Sequence, residues 1–373
     1  MKYAIIVGCG LAGFHYARQL QKQGKEFVLI SDGTSGASRN AGGVLNPTIL
    51  KRYTLAWNGV NFFDHALSTY RNFEAEFHTS VLQDFSIHHY FSQVSDHNNW
   101  SVAAHSEGLN RFLLPPILQS DPEGIQGDFG YAKLQNVGKL EVQKMLDIFR
   151  NHLTSKDFLK ESFDYHALEL YPEKVVYKGV EAKSIVFCEG FGLKQNPWFS
   201  YLPLTGSKGE FLYIRTDGLA PNKIVKGGVF IVPIAKNLYW VGATFSREDK
   251  TTQPTEKGKE WLLTKLKKLL HHPFEVVEHR AAIRPTVQDR RPLLGVHPQY
   301  KQLYVFNGLG TRGVLMGPLL ADWLFQFMEY QKDLPSEVAI DRFETYFSNL
   351  KTSGREKPSP TPLCTFLKTV PTK

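Results

Sequence analysis

Three short periods open the chain. Ala4 to Val7 form an unbroken apolar run, Leu11, Ala12, Tyr16, Ala17 and Leu20 recur at helical spacing, and Phe27 to Ile30 form a second run. A buried strand, an amphipathic helix and another buried strand are what that order predicts. The turn between the first two reads Gly8-x-Gly10-x-x-Gly13, so the unit is a βαβ dinucleotide fingerprint in its required context. Gly8 makes the tight turn, Gly10 lets the backbone approach a pyrophosphate, and Gly13 lets the helix pack on the strand. Leu11 and Ala12 then begin a helix whose free N–H groups and partial positive charge face the phosphates. An acidic residue normally ends the second strand to hold a ribose. Ser31 stands there and Asp32 follows, so one of these two is expected to serve.

A Gly/Ser-rich loop from Gly33 to Pro47 comes next, too long for a connector. Its Ser38, Arg39 and Asn40 offer donors to phosphate, and Ala41, Gly42, Gly43 and Val44 let backbone approach a flat ligand. A helical pattern from Leu55 to Phe77 carries Trp57, Phe62, Phe63, Leu67, Tyr70 and Phe73 as core positions. From about Phe85 to Leu134 the pattern predicts short strands and loops, interrupted by Pro115-Pro116. Gly138 to Leu153 reads as a helix, and Ser184 to Gly192, with Cys188 and Gly190, as a strand entering a glycine turn. Residues 203–246 alternate as strands of an antiparallel sheet with a turn near Lys236-Asn237. A helix from Thr255 to Leu270 sets Trp261, Leu262, Leu266 and Leu269 on one face and Lys257, Lys259, Lys265, Lys267 and Lys268 on the other. Leu303 to Met328 repeats the strand, glycine turn and apolar helix, with Gly308, Gly310, Arg312, Gly313, Val314 and Leu315 at the turn.

Composition narrows the class. A chain of 373 residues, 42% hydrophobic and 21% charged, can bury a sizeable core without staples. Cys9, Cys188 and Cys364 lie far apart, and His88, His89, His97 and His105 have no metal-ligand spacing, so neither disulfides nor a metal site is expected. The apolar stretch Gly313 to Met328 contains Asp322 and is short of a membrane span, so a soluble, cytoplasmic protein is expected. A net charge of +8 permits an anionic partner such as RNA without requiring one.

Together these stretches resemble the FAD-dependent oxidoreductases of the D-amino-acid oxidase, glycine oxidase and sarcosine oxidase family, over residues 3–345. The likeness rests on Gly8, Gly10 and Gly13, on Ser38 to Gly43, on Gly190, on Pro203 to Gly209, on Pro233 with Val241 to Thr244, on Arg284-Pro285 with Asp289, Pro292 and Gly295, and on Gly308 to Pro318. Within the family, GASRNAGGVLNP, AAIRPTVQDRRPLLG and GLGTRGVLMGPLLAD look like the FAD domain of the bifunctional tRNA wobble-uridine methylaminomethyl biosynthesis enzyme. The methyltransferase domain normally fused to that enzyme has no counterpart in this sequence.

The resemblance implies a two-domain α/β (α+β) fold: a Rossmann-like FAD-binding domain of residues 1–85, 135–202 and 286–350, with a mixed antiparallel-sheet substrate domain of residues 86–134 and 203–285. Residues 351–373 are expected as a loosely ordered tail. It further implies oxidation of a C–N bond, with hydride passing from a neutral amine to flavin N5 and the imine then hydrolysing. Arg284 matches the carboxylate-binding arginine of glycine oxidase and Arg312 its second active-site arginine; an ion pair with Asp289 is the alternative for Arg284. Phe230 stands where glycine oxidase has a pocket tyrosine, with Gly228 before it, so a bulkier secondary amine is favoured over glycine. Ala282 stands where some relatives attach flavin through cysteine, implying non-covalent FAD. The partner is then a small amine or amino acid bearing a carboxylate. Alternatives are a carboxymethylaminomethyl uridine in tRNA, reached through the lysine face, or flavin binding without turnover.

Overall fold

The computed structural model describes residues 1–119, 125–219 and 222–352. The opening unit forms where the apolar periods place it, as β1 (Lys2–Val7), α1 (Leu11–Lys22) and β2 (Phe27–Ile30). β1 pairs in parallel with β2 on one side and with Val180–Phe187 on the other. Phe158–Leu159 extends the sheet beside β2, and Leu303–Asn307 beside Val180–Phe187, both again parallel. Ala4, Ile5 and Ile6 have no exposed surface, as a central strand covered on both faces requires. Antiparallel Leu293–Val296 closes one edge, and the hairpin Leu168–Leu170 with Val175–Tyr177 joins the sheet through Val180–Phe187.

The second sheet has nine strands. Its path runs from Glu275–Arg284 through Ser207–Arg215, Leu238–Gly242, Phe230–Ala235, Lys223–Lys226, Leu82–Tyr90 and Tyr131–Leu140 to Val44–Leu45. All its pairs are antiparallel except Lys223–Lys226 with Leu82–Tyr90. The hairpin at Lys236-Asn237 turns through Asn237 at φ 57°, as its residue type allows. The boundaries expected at 85/86 and 134/135 fall inside Leu82–Tyr90 and Tyr131–Leu140, two strands paired with each other.

Several local expectations are corrected. Ser95–His105 is an α-helix inside the stretch read as strands and loops. It buries only Asp96, Trp100, Ala103 and Ala104, too sparse an apolar period to read in sequence. Pro115-Pro116 lie within the strand Leu113–Leu118, tolerated because both are exposed and the register slips between Leu113 and Ile117. Gly138 belongs to Tyr131–Leu140, and the helix after it starts at Val142. The helix expected from Leu55 starts at Gly59, because Thr54–Leu55 pairs with Thr48–Ile49. The lysine-faced helix spans Glu256–Lys267, capped by the Thr255 hydroxyl, which accepts from Gly258 N at 3.0 Å. Of the tail expected from Lys351, two residues end the helix Glu344–Thr352 and the remainder, with Cys364, lies outside the described residues.

Candidate active site

A cavity of about 900 Å³ runs from the N-terminus of α1 across to the second sheet. At its first end Gly8, Gly10, Leu11 and Ala12 form the wall, and Gly13 lies beneath them. A Cβ on Gly13 would stand 1.9 Å from the Gly8 carbonyl oxygen, so only glycine lets the helix sit on the turn. The N-cap residue Gly10 has no side chain with which to cap α1, and Ser38 Oγ accepts from Leu11 N at 3.0 Å. The other polar side chains of this loop are turned to internal work. Arg39 pairs with Asp147 at 2.8 Å, and Asn40 Nδ2 donates to Gly36 O at 3.0 Å and Ser35 Oγ at 3.2 Å. All of Ser38 to Val44 still line the cavity.

Ser31 and Asp32 line the same end. Asp32 accepts from Thr34 N at 2.9 Å, Thr34 Oγ1 at 2.8 Å and Ser162 Oγ at 2.8 Å; the Thr34 backbone bond does most to hold its carboxyl below the usual range. An ionised acceptor therefore stands beside the position where sequence places a ribose. Cys188 and Gly190 follow the strand Val180–Phe187 into the wall, with Glu189 between them. Enclosure pushes the Glu189 carboxyl up to about 7, against bonds donated by Tyr165 OH and, at 2.8 Å, Asn196 Nδ2. Burial also raises the thiols, Cys9 to about 11 and Cys188 well above its usual value.

The far end is floored by the second sheet. Phe211, Phe230 and Trp240 line it, with Trp240 stacked on Phe211 at 5.4 Å and its buried Nε1 without a hydrogen-bond partner among the described residues. Gly42 of the loop lies against the Trp240 indole. Arg284 enters from the end of Glu275–Arg284 and donates to Thr244 O at 3.3 Å. Asp289 is not its partner; that carboxylate binds Arg342 Nε at 2.9 Å and Arg291 N at 2.9 Å. Ala282 lines the cavity and offers no thiol.

Arg312 is placed differently from the expectation. It precedes the helix Gly313–Tyr330 and is not among the cavity-lining residues, donating to Asn46 O at 3.2 Å and Thr48 O at 3.1 Å. Two backbone carbonyls, one at the end of the loop and one in the strand Thr48–Ile49 that follows it, hold its guanidinium, so it braces that junction. Gly310, Gly313 and Val314 line the cavity, whereas Gly308, Arg312 and Leu315 do not.

These features fit a long dinucleotide cofactor: a helix N-terminus with glycine at its N-cap, a glycine-rich loop along the trough and, among the described residues, an unpartnered indole N–H on one continuous wall. Residues 4–327 match the family described as FAD dependent oxidoreductase, DAO. The chain belongs to this family. It is 22% identical over 87% of its length to the tRNA 5-methylaminomethyl-2-thiouridine biosynthesis bifunctional protein MnmC of Saccharophagus degradans, and covers 52% of that protein. The chain thus spans about half the length of the bifunctional relatives it matches first. It is 23% identical to the glycine oxidase of Bacillus subtilis over 91% of this chain and 97% of that one. The structure of glycine oxidase from Geobacillus kaustophilus superposes with a TM-score of 0.75 at 19% identity, over 92% of this chain and 97% of that chain. This FAD-dependent oxidoreductase has the mixed α/β fold of those neighbours.

Sequence reading missed Glu161, Ser162, Glu189, Lys226 and Trp240, all on the cavity wall of this oxidoreductase. A signal existed for Lys226: a tight hairpin closing at Gly228 sets it opposite Phe230, and the two are register partners. Among the described residues no group of His, Cys, Asp or Glu could hold a metal, and no helix is long and apolar enough to cross a membrane.

Proposed function

We propose that this chain oxidises the C–N bond of an amine carrying a carboxylate, an amino acid or N-substituted glycine. One observation carries the reading: the Arg284 guanidinium lines the cavity and, among the described residues, pairs with no carboxylate. Desolvation lowers its affinity for a proton without removing the charge. A rigid forked donor left unpaired beside an apolar pocket suits a ligand carboxylate.

Bound FAD supplies the two-electron acceptor, and Gly8, Gly10, Ser31, Asp32, Ser38 to Val44, Gly190, Gly310 and Val314 are the residues that would hold it. Arg284 fixes the substrate by its carboxylate so that the α-carbon is presented in one orientation. Phe211, Phe230 and Trp240 keep water from that carbon. Among the groups lining this end, Lys226 and Arg284 carry charge and neither is a carboxylate base, so the amine is used in its neutral form. Loss of two electrons and two protons leaves an imine, which water converts to a carbonyl compound and an amine. Phe230 brings no hydroxyl to this end, which favours a secondary amine over free glycine; the space beside Gly228 is taken by the Lys265 side chain.

The test is anaerobic reduction of the bound flavin by a panel of small amines. Bleaching by an N-substituted glycine, weakened at least a hundredfold in Arg284→Ala, supports the reading. Equal rates in the two proteins would sink it.

A second reading is a carboxymethylaminomethyl uridine in tRNA, in keeping with the bifunctional relatives. The observation favouring it is that a Cβ on Gly228, on the cavity wall, would lie 3.1 Å from Lys265 Cδ. Lys265 of the helix Glu256–Lys267 therefore reaches the cavity wall, beside an exposed Trp261.

A further inference from the structure

Lys226 is the unexplained cation of the cavity. It ends the strand Lys223–Lys226, pairs in register with Phe230 and with His89, and lies on the cavity wall. Its Nζ sits 4.9 Å from the Phe230 ring centroid and donates to the Gly227 carbonyl. No carboxylate among the described residues pairs with it, and desolvation pushes its ammonium down to about 8. A cation kept in such a place without a counter-charge is costly unless a ligand brings the anion.

Its relation to Arg284 follows from the sheet. Phe211 faces Gly242, Gly242 faces Phe230, and Phe230 faces Lys226, so these residues form one row across four strands. Gly209 stands two residues before Phe211, hence on the same face. The Arg284 guanidinium covers Gly209 at one end of this row, and the Lys226 ammonium leans over Phe230 toward it from the other. With strands about 4.8 Å apart and a rise of about 3.4 Å per residue, two strand spacings across and two residues along separate the two charges by roughly 12 Å. Charge-assisted hydrogen bonds of about 2.8 Å at each end leave on the order of 6 Å between the two bound oxygens. The outermost oxygens of two carboxylates joined through about four bonds have that span.

We infer that Lys226 is a second anion-binding group, and that the substrate is an amine carrying two acidic groups, one held by Arg284 and the other by Lys226. This rests on the proposed amine oxidation for the identity of the reaction, but the subsite can be tested without turnover.

The experiment titrates the FAD-loaded protein with glutarate, whose carboxylates are four bonds apart, and with butyrate, following flavin absorbance and heat. Glutarate is expected to bind at least tenfold more tightly than butyrate. Lys226→Met should bring that ratio to about one, and Lys226→Arg, which keeps the charge, should preserve most of it. Equal affinities in the parent protein, or a ratio unchanged in Lys226→Met, overturn the inference. In the reactive arm, iminodiacetate and N-ethylglycine are compared by anaerobic flavin reduction. A preference for iminodiacetate that Lys226→Met abolishes supports the subsite in turnover. If neither amine reduces the flavin while the glutarate preference and its loss persist, amine oxidation fails and the subsite stands. If N-ethylglycine reduces it as well as iminodiacetate and glutarate shows no preference, the subsite fails and the oxidation stands.

Discussion

The Arg284 guanidinium lies directly over Gly209: a Cβ on Gly209 would stand 2.1 Å from Arg284 Nη2. The strands Ser207–Arg215 and Glu275–Arg284 run antiparallel with Gly209 opposite Ala282, so the arginine reaches back across its neighbour. A missing side chain on one strand thus makes room for the charged one of the next.

Gly209→Ala is therefore expected to displace the guanidinium while leaving the nucleotide end intact. Bound FAD should be unchanged, and butyrate affinity should fall at least tenfold, toward that of Arg284→Ala. Stability should drop by about 1–3 kcal/mol, the usual cost of an overpacked site. Parental butyrate affinity in Gly209→Ala would show that the arginine does not need this position.

For Arg312 the expectation differs, since its two bonds go to backbone carbonyls of Asn46 and Thr48. Arg312→Met should lower stability by about 2 kcal/mol, within the range for hydrogen bonds to charged groups. Urea unfolding measures this. A carboxylate-binding defect as large as that of Arg284→Ala, with stability untouched, would instead place Arg312 on the substrate.

Gly13→Ala brings a methyl group to 1.9 Å of the Gly8 carbonyl oxygen, which forces the helix off the turn. The purified variant is expected to carry less than a tenth of the parental FAD and not to recover it on reconstitution. Full yellow colour would contradict this account of the helix seat.

Glu189 makes stability depend on pH. Its folded value of about 7 exceeds its ordinary value near 4.5, mainly through desolvation, so the native state binds more protons than the unfolded chain between these limits. Its contribution is fully present below about 4.5 and is lost as pH rises to about 7, up to about 3 kcal/mol in all. Glu189→Gln has no such proton to lose, so its stability relative to the parent should rise between pH 5 and 8. Thermal unfolding at both pH values decides the point; parallel shifts in the two proteins would rule it out.

If tRNA is the substrate carrier, the lysine face should contribute to its binding. Replacing Lys265, Lys267 and Lys268 with alanine should weaken tRNA binding and flatten the slope of log affinity against log salt by about 2. A slope unchanged by the triple replacement argues against contact through this helix.

The sequence by itself determined the local pieces whose cause is local. The βαβ unit follows from uninterrupted apolar runs around glycines, and the Glu256–Lys267 helix from a 3.6-residue period with a threonine at its start. The family followed from several such pieces in order. Ser95–His105 was hidden because its buried residues are few and its polar ones many. Tertiary structure decided which arginine faces the cavity, since Arg284 and Arg312 stand in equally suggestive glycine-rich contexts. Only the pairing of distant strands shows that one lies over Gly209 and the other reaches the carbonyls of Asn46 and Thr48. The same register sets Lys226 beside Phe230 and Trp240 against Gly42. A side chain's direction depends on which strand lies next to its own, and that neighbour is chosen by packing between segments far apart in the chain.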